Sequence, residues 1–522
     1  MSYKLTYSTM FDPPAEMHAR FDESLQQVRA RLGAKHALYI EGQDVHAHIH
    51  RETRSPIDRD LTLGHFSQAT AADAERAIAA AHAAFPAWRS FPAAERIRIL
   101  RRVAQLIEER VYTIGAVLAF EVGKNRMEAL GETQETADFF TAYCDDFERQ
   151  HHFDHALPND PLPNAISRNR SVMKPHGVWV VITPFNFPFA LAGGPVAAAL
   201  VTGNTVVLKG ASDTPWAGRL LADCLRDAGI PSGVFNYLSG PSGAIGGALI
   251  SNPRTAGVTF TGSYEVGMRI ARTLTGGRYP RPCIAEMGGK NACVVTRNAD
   301  LERAAAGIVR SAYGMGGQKC SALSRLYVEN EVADALIDRI KDKIEATRIG
   351  DPTRQEHWLG PVINERAQRD YERFLAQLRE GGSTLVAGGR VLKDGEHARG
   401  FYVEPALAEA PNDHSLWRHE MFLPILMLQR VQNLDEGIER ANDSDLGLTA
   451  GVYGATAEVE RFLDRIEAGV TYANRAQGAT TGAWPGYQPF GGWKGSGNTG
   501  KAIASFYYLA QYMREQSQTV VE

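Results

Sequence analysis

Cysteine is scarce in this chain. Its five copies, Cys144, Cys224, Cys283, Cys293 and Cys320, lie far apart with no C-x-x-C pair. An odd, scattered set builds neither a disulfide framework nor a zinc knuckle. The N-terminus, MSYKLTYSTMFDPPAEMHARFDE, lacks an apolar core segment and carries acidic residues, so it does not read as a secretory signal. A reducing, cytoplasmic compartment is therefore expected. Excess positive charge is missing too. The net charge is −4 and the pI about 6.5, with Lys and Arg dispersed. That removes the electrostatic footprint of a nucleic-acid binder and leaves no basic amphipathic helix for a membrane surface. Fixed-period repeats and low-complexity tracts are also absent. What remains is 522 residues of ordinary globular composition, 44% hydrophobic and 22% charged, which is too much chain for one core.

Residues 177–208 contain no charged side chain and are long enough to span a bilayer. Pro184, Pro188, Pro195, Asn186 and the turn Gly203-Asn204-Thr205 interrupt that run. The segment reads instead as strand (VWVVI), turn (TPFNFP), small-residue helix (ALAGGPVAAALV), turn and strand (TVVLK), a buried βαβ unit. The alternation continues: helix TPWAGRLLADCLRDAG, strand VFNYLSG, helix SGAIGGALISN, strand AGVTFTG and helix SYEVGMRIARTLTG. A second series starts near Ala292 and runs to a strand near Gly469. Strands alternating with helices predict parallel sheets covered on both faces, with ligands at the carboxyl ends of the strands.

Two strand ends in the first series suit a dinucleotide. Phe260-Thr261-Gly262-Ser263-Tyr-Glu-Val-Gly267 places Gly and Ser at a helix start, where N–H groups and the helix dipole hold phosphate. It lacks the G-x-G-x-x-G fingerprint, and such turns also merely close βα connections. Lys209, at a strand end, reads either as a ribose or phosphate contact or as a lysine in solvent. His46, His48 and His50 alternate, which predicts one solvated strand face rather than a metal site; His151, His152 and His155 have no matching ligand set. No metal is expected.

The stretch GMGGQKCSALSRL (314–326) leaves Cys320 open as a nucleophile or an ordinary buried thiol until the other motifs are read with it. TPFNFP (183–188), LKGASDTP (208–215), FTGSYEVG (260–267), EMGGKN (286–291), GGQKCS (316–321), HEMFLPI (419–425) and QPFGGWKGSG (488–497) occur in one order, with 34 residues from Glu286 to Cys320. Together they resemble the aldehyde dehydrogenase superfamily over nearly the whole chain. The resemblance implies a Rossmann-like cofactor domain (1–154 and 175–290), a catalytic domain (291–488) and a bridging β-hairpin element (155–174 and 498–522). An exposed β edge in that element implies a homodimer or a dimer-based oligomer.

The same resemblance assigns roles. A planar aldehyde carbon has no good hydride to give, whereas the tetrahedral adduct of a thiolate has. Cys320 is the implied nucleophile. Asn186 and the Cys320 N–H are the implied oxyanion donors, and Glu286 is the base for thioester hydrolysis. A buried thiol has a raised pKa and is inert, so Cys320 is expected at the mouth of a tunnel rather than in the core, with its neighbouring glycines letting backbone and cofactor approach closely. Glu286 favours release of a free acid over acyl transfer to coenzyme A. NAD, or alternatively NADP, is implied to lie on Thr183, Pro184, Phe185, Lys209, Ser212, Gly262, Ser263, Glu420 and Phe422. Ser212 stands where NAD-preferring relatives often carry glutamate, and Leu423 departs from the family's glycine.

AYGMGGQKCSALSRLYV (312–328) and TTGAWPGYQPFGG (480–492) look like the 1-pyrroline-5-carboxylate (glutamate semialdehyde) dehydrogenase branch. That likeness implies an α-carboxylate bound by Ser321, Gly482 and Ala483, with Phe187 and Phe490 clamping the aliphatic chain. Trp484 and Pro485 depart from the branch and keep another aldehyde, aromatic or aliphatic, as the alternative. A non-catalytic scaffold of this fold is the remaining one.

Overall fold

A computed structural model describes residues 5–6, 9, 13–478 and 484–522. Two seven-stranded sheets organise it. The first contains β1 (Leu38–Ile40), β2 (Gln43–Val45), β3 (Val178–Ile182), β4 (Thr205–Lys209), β5 (Phe235–Leu238), β6 (Thr255–Thr261) and β7 (Cys283–Glu286), in the order β7-β6-β3-β4-β5-β1-β2. Strands β3 to β7 are parallel, because each is joined to the next by a crossover helix. β1 and β2 extend the edge antiparallel. The apolar run of β3 is buried on both faces, and the small residues of α2 (Ala190–Val201) let that helix sink into the core against the long helix α1 (Arg126–Arg149).

The second sheet contains β8 (Asn291–Val295), β9 (Leu323–Glu329), β10 (Thr384–Gly388), β11 (Ala406–Glu409), β12 (Ile425–Val431), β13 (Thr449–Tyr453) and β14 (Val470–Ala473), ordered β10-β11-β12-β9-β8-β13-β14. Only β10 runs antiparallel. Both sheets thus carry antiparallel edge strands, which the purely parallel expectation did not include. A third, antiparallel sheet pairs Met513–Val521 with Ser167–Pro175, and that strand with Asp154–Leu157.

One reading is corrected. His46, His48 and His50 do not share a strand: β2 ends at Val45 and the next strand begins at His50. The alternation was a coincidence of a loop between two short strands. No helix among the described residues is long and apolar enough to cross a membrane.

Candidate active site

A cavity of about 900 Å³ opens along the carboxyl ends of the first sheet's strands and ends at Cys320. The crossover topology brings its walls together: β3 delivers Thr183, Pro184, Phe185 and Asn186, β4 delivers Lys209 and Ser212, and β6 delivers Gly262 and Ser263. The loop before β12 delivers Glu420 and Phe422. Phe185 and Phe422, distant in sequence, meet edge to face at 5.8 Å between ring centres. All nine residues read as cofactor contacts line this one space.

Lys209 is not a lysine in solvent. It is 3% exposed, donates to Ser242 Oγ at 2.8 Å, and burial lowers its pKa to about 8 despite the field of Asp213. Six wall residues on α3 (Ser242–Ser251) escaped the sequence reading: Ser242, Gly243, Gly246, Gly247, Ile250 and Ser251. A side chain at any of these glycines would meet nothing within 4 Å and would project into open space. Their signal was only a helix rich in glycine, which by itself reads as weak propensity. Ser263 caps the start of α4 (Tyr264–Thr275) with its backbone, leaving the first N–H groups of that helix unbonded within it. Thr183 Oγ1 is buried on the wall without a hydrogen-bond partner. An elongated space with small walls, a helix N-terminus, a buried ammonium and an orphaned hydroxyl fits a dinucleotide.

At the inner end three segments converge. Asn186 Nδ2 donates to the carbonyl of Gln318 at 3.0 Å, tying the β3 loop to the cysteine loop and leaving one N–H free of that bond. Asn291 Nδ2 donates to the carbonyls of Cys320 and Ala322, both at 2.7 Å, and its Oδ1 accepts the Thr449 N–H at 2.9 Å. One asparagine side chain therefore fixes the nucleophile's backbone. Asn291 closes the EMGGKN motif, so its position was legible while its role was not.

The glycines of that motif are explained by close approach. A Cβ on Gly288 would run into the Glu420 carboxylate, and one on Gly289 into the carbonyl of Cys320. The glycines ahead of Cys320 were expected to let backbone and cofactor approach closely, and Gly317, with a left-handed φ of 66°, packs against the backbone of Leu423.

Cys320 lines the cavity and is partly exposed. Accessibility does not spare it a raised pKa, contrary to expectation. Burial of the sulfur, then the fields of Glu420 and Glu286, push the thiol up to about 12, against backbone N–H groups of Ser321 and Cys320 itself. Glu286 accepts the Gly492 N–H at 3.2 Å, and burial raises it to about 8.

The other flank is more closed. Phe187, Ser321 and Phe490 are buried and do not line the cavity. The ammonium of Lys124 lies 3.7 Å over the Phe187 ring and pairs with Glu132, both side chains having no exposure. Glu132 in turn accepts the N–H groups of Phe189 and Ala190 at 2.8 and 3.1 Å, which fixes the start of α2 and the loop carrying Asn186. Trp484 is buried and donates to Asp138 at 3.1 Å. Gly482 and Ala483 lie outside the described residues.

Comparison with known proteins follows the same lines. The sequence profile described as "Aldehyde dehydrogenase family" matches residues 45–518. A 1-pyrroline-5-carboxylate dehydrogenase of Geobacillus sp. (strain WCH70) is 35% identical over 526 residues, covering 100% of this chain and 99% of that protein. The solved structure of 1-pyrroline-5-carboxylate dehydrogenase from Thermus with bound NAD superposes with a TM-score of 0.92 at 33% identity, covering 98% of this chain and 97% of that one. A 3,6-anhydro-L-galactose dehydrogenase structure is also similar, with a TM-score of 0.86 at 32% identity over 93% of this chain and 100% of that one.

Proposed function

The chain belongs to the aldehyde dehydrogenase family, and from that premise we propose that it oxidises L-glutamate γ-semialdehyde to glutamate with NAD. The observation that carries the reading is a thiol and a side-chain amide on the wall of a dinucleotide-sized cavity, with a buried carboxylate behind that wall whose field reaches the thiol. Full-length similarity to proteins named for 1-pyrroline-5-carboxylate supports the substrate.

A nicotinamide bound in the cleft supplies a hydride acceptor and, until reduced, a positive charge. Thr183, Pro184, Phe185, Lys209, Ser212, Gly262, Ser263, Glu420 and Phe422 would hold the dinucleotide. Burial, then the fields of Glu420 and Glu286, favours the Cys320 thiol; a positive charge in the cleft would oppose them, and the thiol gives up its proton to solvent before it reacts. Its sulfur then bonds to the aldehyde carbon, and the carbonyl electron pair moves to oxygen. The free N–H of Asn186 and the Cys320 N–H receive that oxyanion, a contribution of about 3 kcal/mol per donor. Loss of hydride re-forms the carbonyl as a thioester. Glu286 takes a proton from water, hydroxide adds to the thioester carbon, and the carbon–sulfur bond breaks to release acid and thiolate.

On the substrate side, Ser321 and the loop at Gly482 and Ala483 are proposed to hold the α-carboxylate, with Phe187 and Phe490 beside the chain. Residues 1–154 and 175–290 are read as the cofactor domain and 291–488 as the catalytic domain. Residues 155–174 and 498–522 are read as a dimer element, supported by Leu157, Val520 and Val521 left 44%, 56% and 56% exposed on its strands. The proposed compartment is the cytoplasm.

The test is turnover: purified protein given glutamate semialdehyde and NAD should form glutamate and NADH in equal amounts. No NADH above a heat-treated control would overturn the reading.

A further inference from the structure

The Glu286 carboxylate lies behind the cavity wall. Among the described residues a single hydrogen bond reaches it, from the Gly492 N–H to Oε2 at 3.2 Å. Burial favours its neutral form and that N–H favours the ion, with no cation entering the balance. Three other titratable side chains feel its charge: Cys320 on the cavity wall, and Tyr508 and Tyr512 in the C-terminal segment. A buried ion held by one N–H depends on whatever fixes that N–H.

Gly492 opens a tight turn that closes at Ser496, whose N–H donates to the Trp493 carbonyl at 3.0 Å. The turn needs glycine at its start, because a Cβ on Gly492 would run into Ser496. Ser496 is fully buried, and its hydroxyl joins two distant segments. Oγ donates to the Gly288 carbonyl at 2.7 Å and accepts the Gly447 N–H at 3.1 Å. The Ser496 carbonyl accepts the Met287 N–H at 2.8 Å. Met287 and Gly288 line the cavity, so the turn is pinned behind the wall on the two residues that follow Glu286. Farther along, Gly497 pairs with Glu286 across the outer edge of β7. The groups on such an edge need covering. Asn498 covers them as a neighbouring strand would, accepting the Ala285 N–H at 2.8 Å and donating to the Cys283 carbonyl at 3.0 Å.

We propose that Ser496 is a positioning residue for thioester hydrolysis: by pinning the turn 492–496 to Gly288 and Gly447, it holds the Gly492 N–H on the Glu286 carboxylate. Asn498 supports the same arrangement from the edge of β7. The inference rests on the reading of Glu286 as the base of that step. Thiol addition and hydride loss draw on Cys320 and Asn186 instead, so damage to the turn shows after the first turnover. Removing the hydroxyl strands the Gly288 carbonyl and the Gly447 N–H and frees the turn to move. A Glu286 that loses the Gly492 N–H titrates at higher pH.

The test is rapid-mixing NADH formation from about pH 6 to about pH 10, with NAD in excess and glutamate semialdehyde, or propanal if the wild type prefers it. Ser496→Ala should keep the wild-type first-turnover rate. Its steady-state rate near neutrality should fall about tenfold and its pH midpoint rise by about one unit, because one unit leaves a tenfold smaller fraction of carboxylate below it. Asn498→Ala should move the midpoint the same way by less. In a Glu286→Gln background, Ser496→Ala should cost little more, because the group it positions is gone. If Ser496→Ala fails to fold, Ser496→Cys, of similar size with a weak donor, and Asn498→Ala decide by the same midpoint. A loss shared equally by first turnover and steady state, an unmoved midpoint, or an equal loss with and without Glu286 would overturn the inference. A Glu286→Gln enzyme whose first turnover and steady state fall together would instead overturn the base reading on which it rests.

Discussion

The two flanks of Cys320 are built differently. Toward the cofactor, the wall is made of strand ends, helix starts and glycines with open space in front of them. On the side proposed for the substrate, the packing is of aromatic rings and a fully buried Lys124–Glu132 pair, with Trp484 donating to Asp138. A wall of backbone donors binds what every member of such a fold must bind. A wall of packed side chains is proposed to decide which aldehyde enters. Chemistry common to a family should therefore respond to changes at the junction, and substrate choice to changes on the closed flank.

The largest effect is expected at the junction itself. Cys320→Ala should lower aldehyde oxidation by at least about a thousandfold while NAD still binds, as followed by NADH formation and calorimetry. Substantial residual oxidation would remove the thiol from the account. Glu286→Gln comes next. The first turnover should proceed as a burst and the steady state fall about a hundredfold, since only thioester hydrolysis needs the base. Burial raises the Glu286 pKa to about 8, and the carboxylate is the active form. The wild-type steady-state rate should therefore fall as pH drops through about 8 and level off above it, a dependence that Gln removes. Equal losses in burst and steady state would assign the water to another group.

On the closed flank, Ser321→Ala should cost roughly 1.5–3 kcal/mol in kcat/KM for an aldehyde bearing an α-carboxylate and little for propanal. An equal loss for both would separate Ser321 from carboxylate recognition. On the open flank, Ser212→Glu should weaken NADP about tenfold more than NAD, a like-charge contact with the 2′-phosphate. Ser212 donates to the Gly240 carbonyl at 3.0 Å and lines the cavity. An unchanged NAD/NADP ratio would place the adenosine ribose elsewhere.

The same contrast explains what could be read from sequence. Strands such as VWVVI and TVVLK and the helix ALAGGPVAAALV were legible to within a residue, because burial on all sides leaves an unbroken apolar signature between turn residues. The open flank was legible because motifs at strand ends follow the order of the strands. Missed residues act through geometry rather than type. Lys124 and Glu132 look like a solvated i, i+8 pair until packing removes every exposure. Ser496 lies inside a motif whose pattern says nothing about the two segments its hydroxyl joins. The raised Cys320 thiol was missed because its causes come from packing: burial of the sulfur first, and then the field of Glu420, 100 residues away in sequence.

The most direct test of the account compares wild-type kcat/KM for glutamate semialdehyde, propanal and benzaldehyde with NAD in excess. A site with an α-carboxylate anchor beside Cys320 predicts at least about a tenfold preference for glutamate semialdehyde, the worth of one charged hydrogen bond. Equal or better use of the uncharged aldehydes would contradict it, leaving an aldehyde dehydrogenase whose closed flank, with Trp484 at its edge, selects a different substrate.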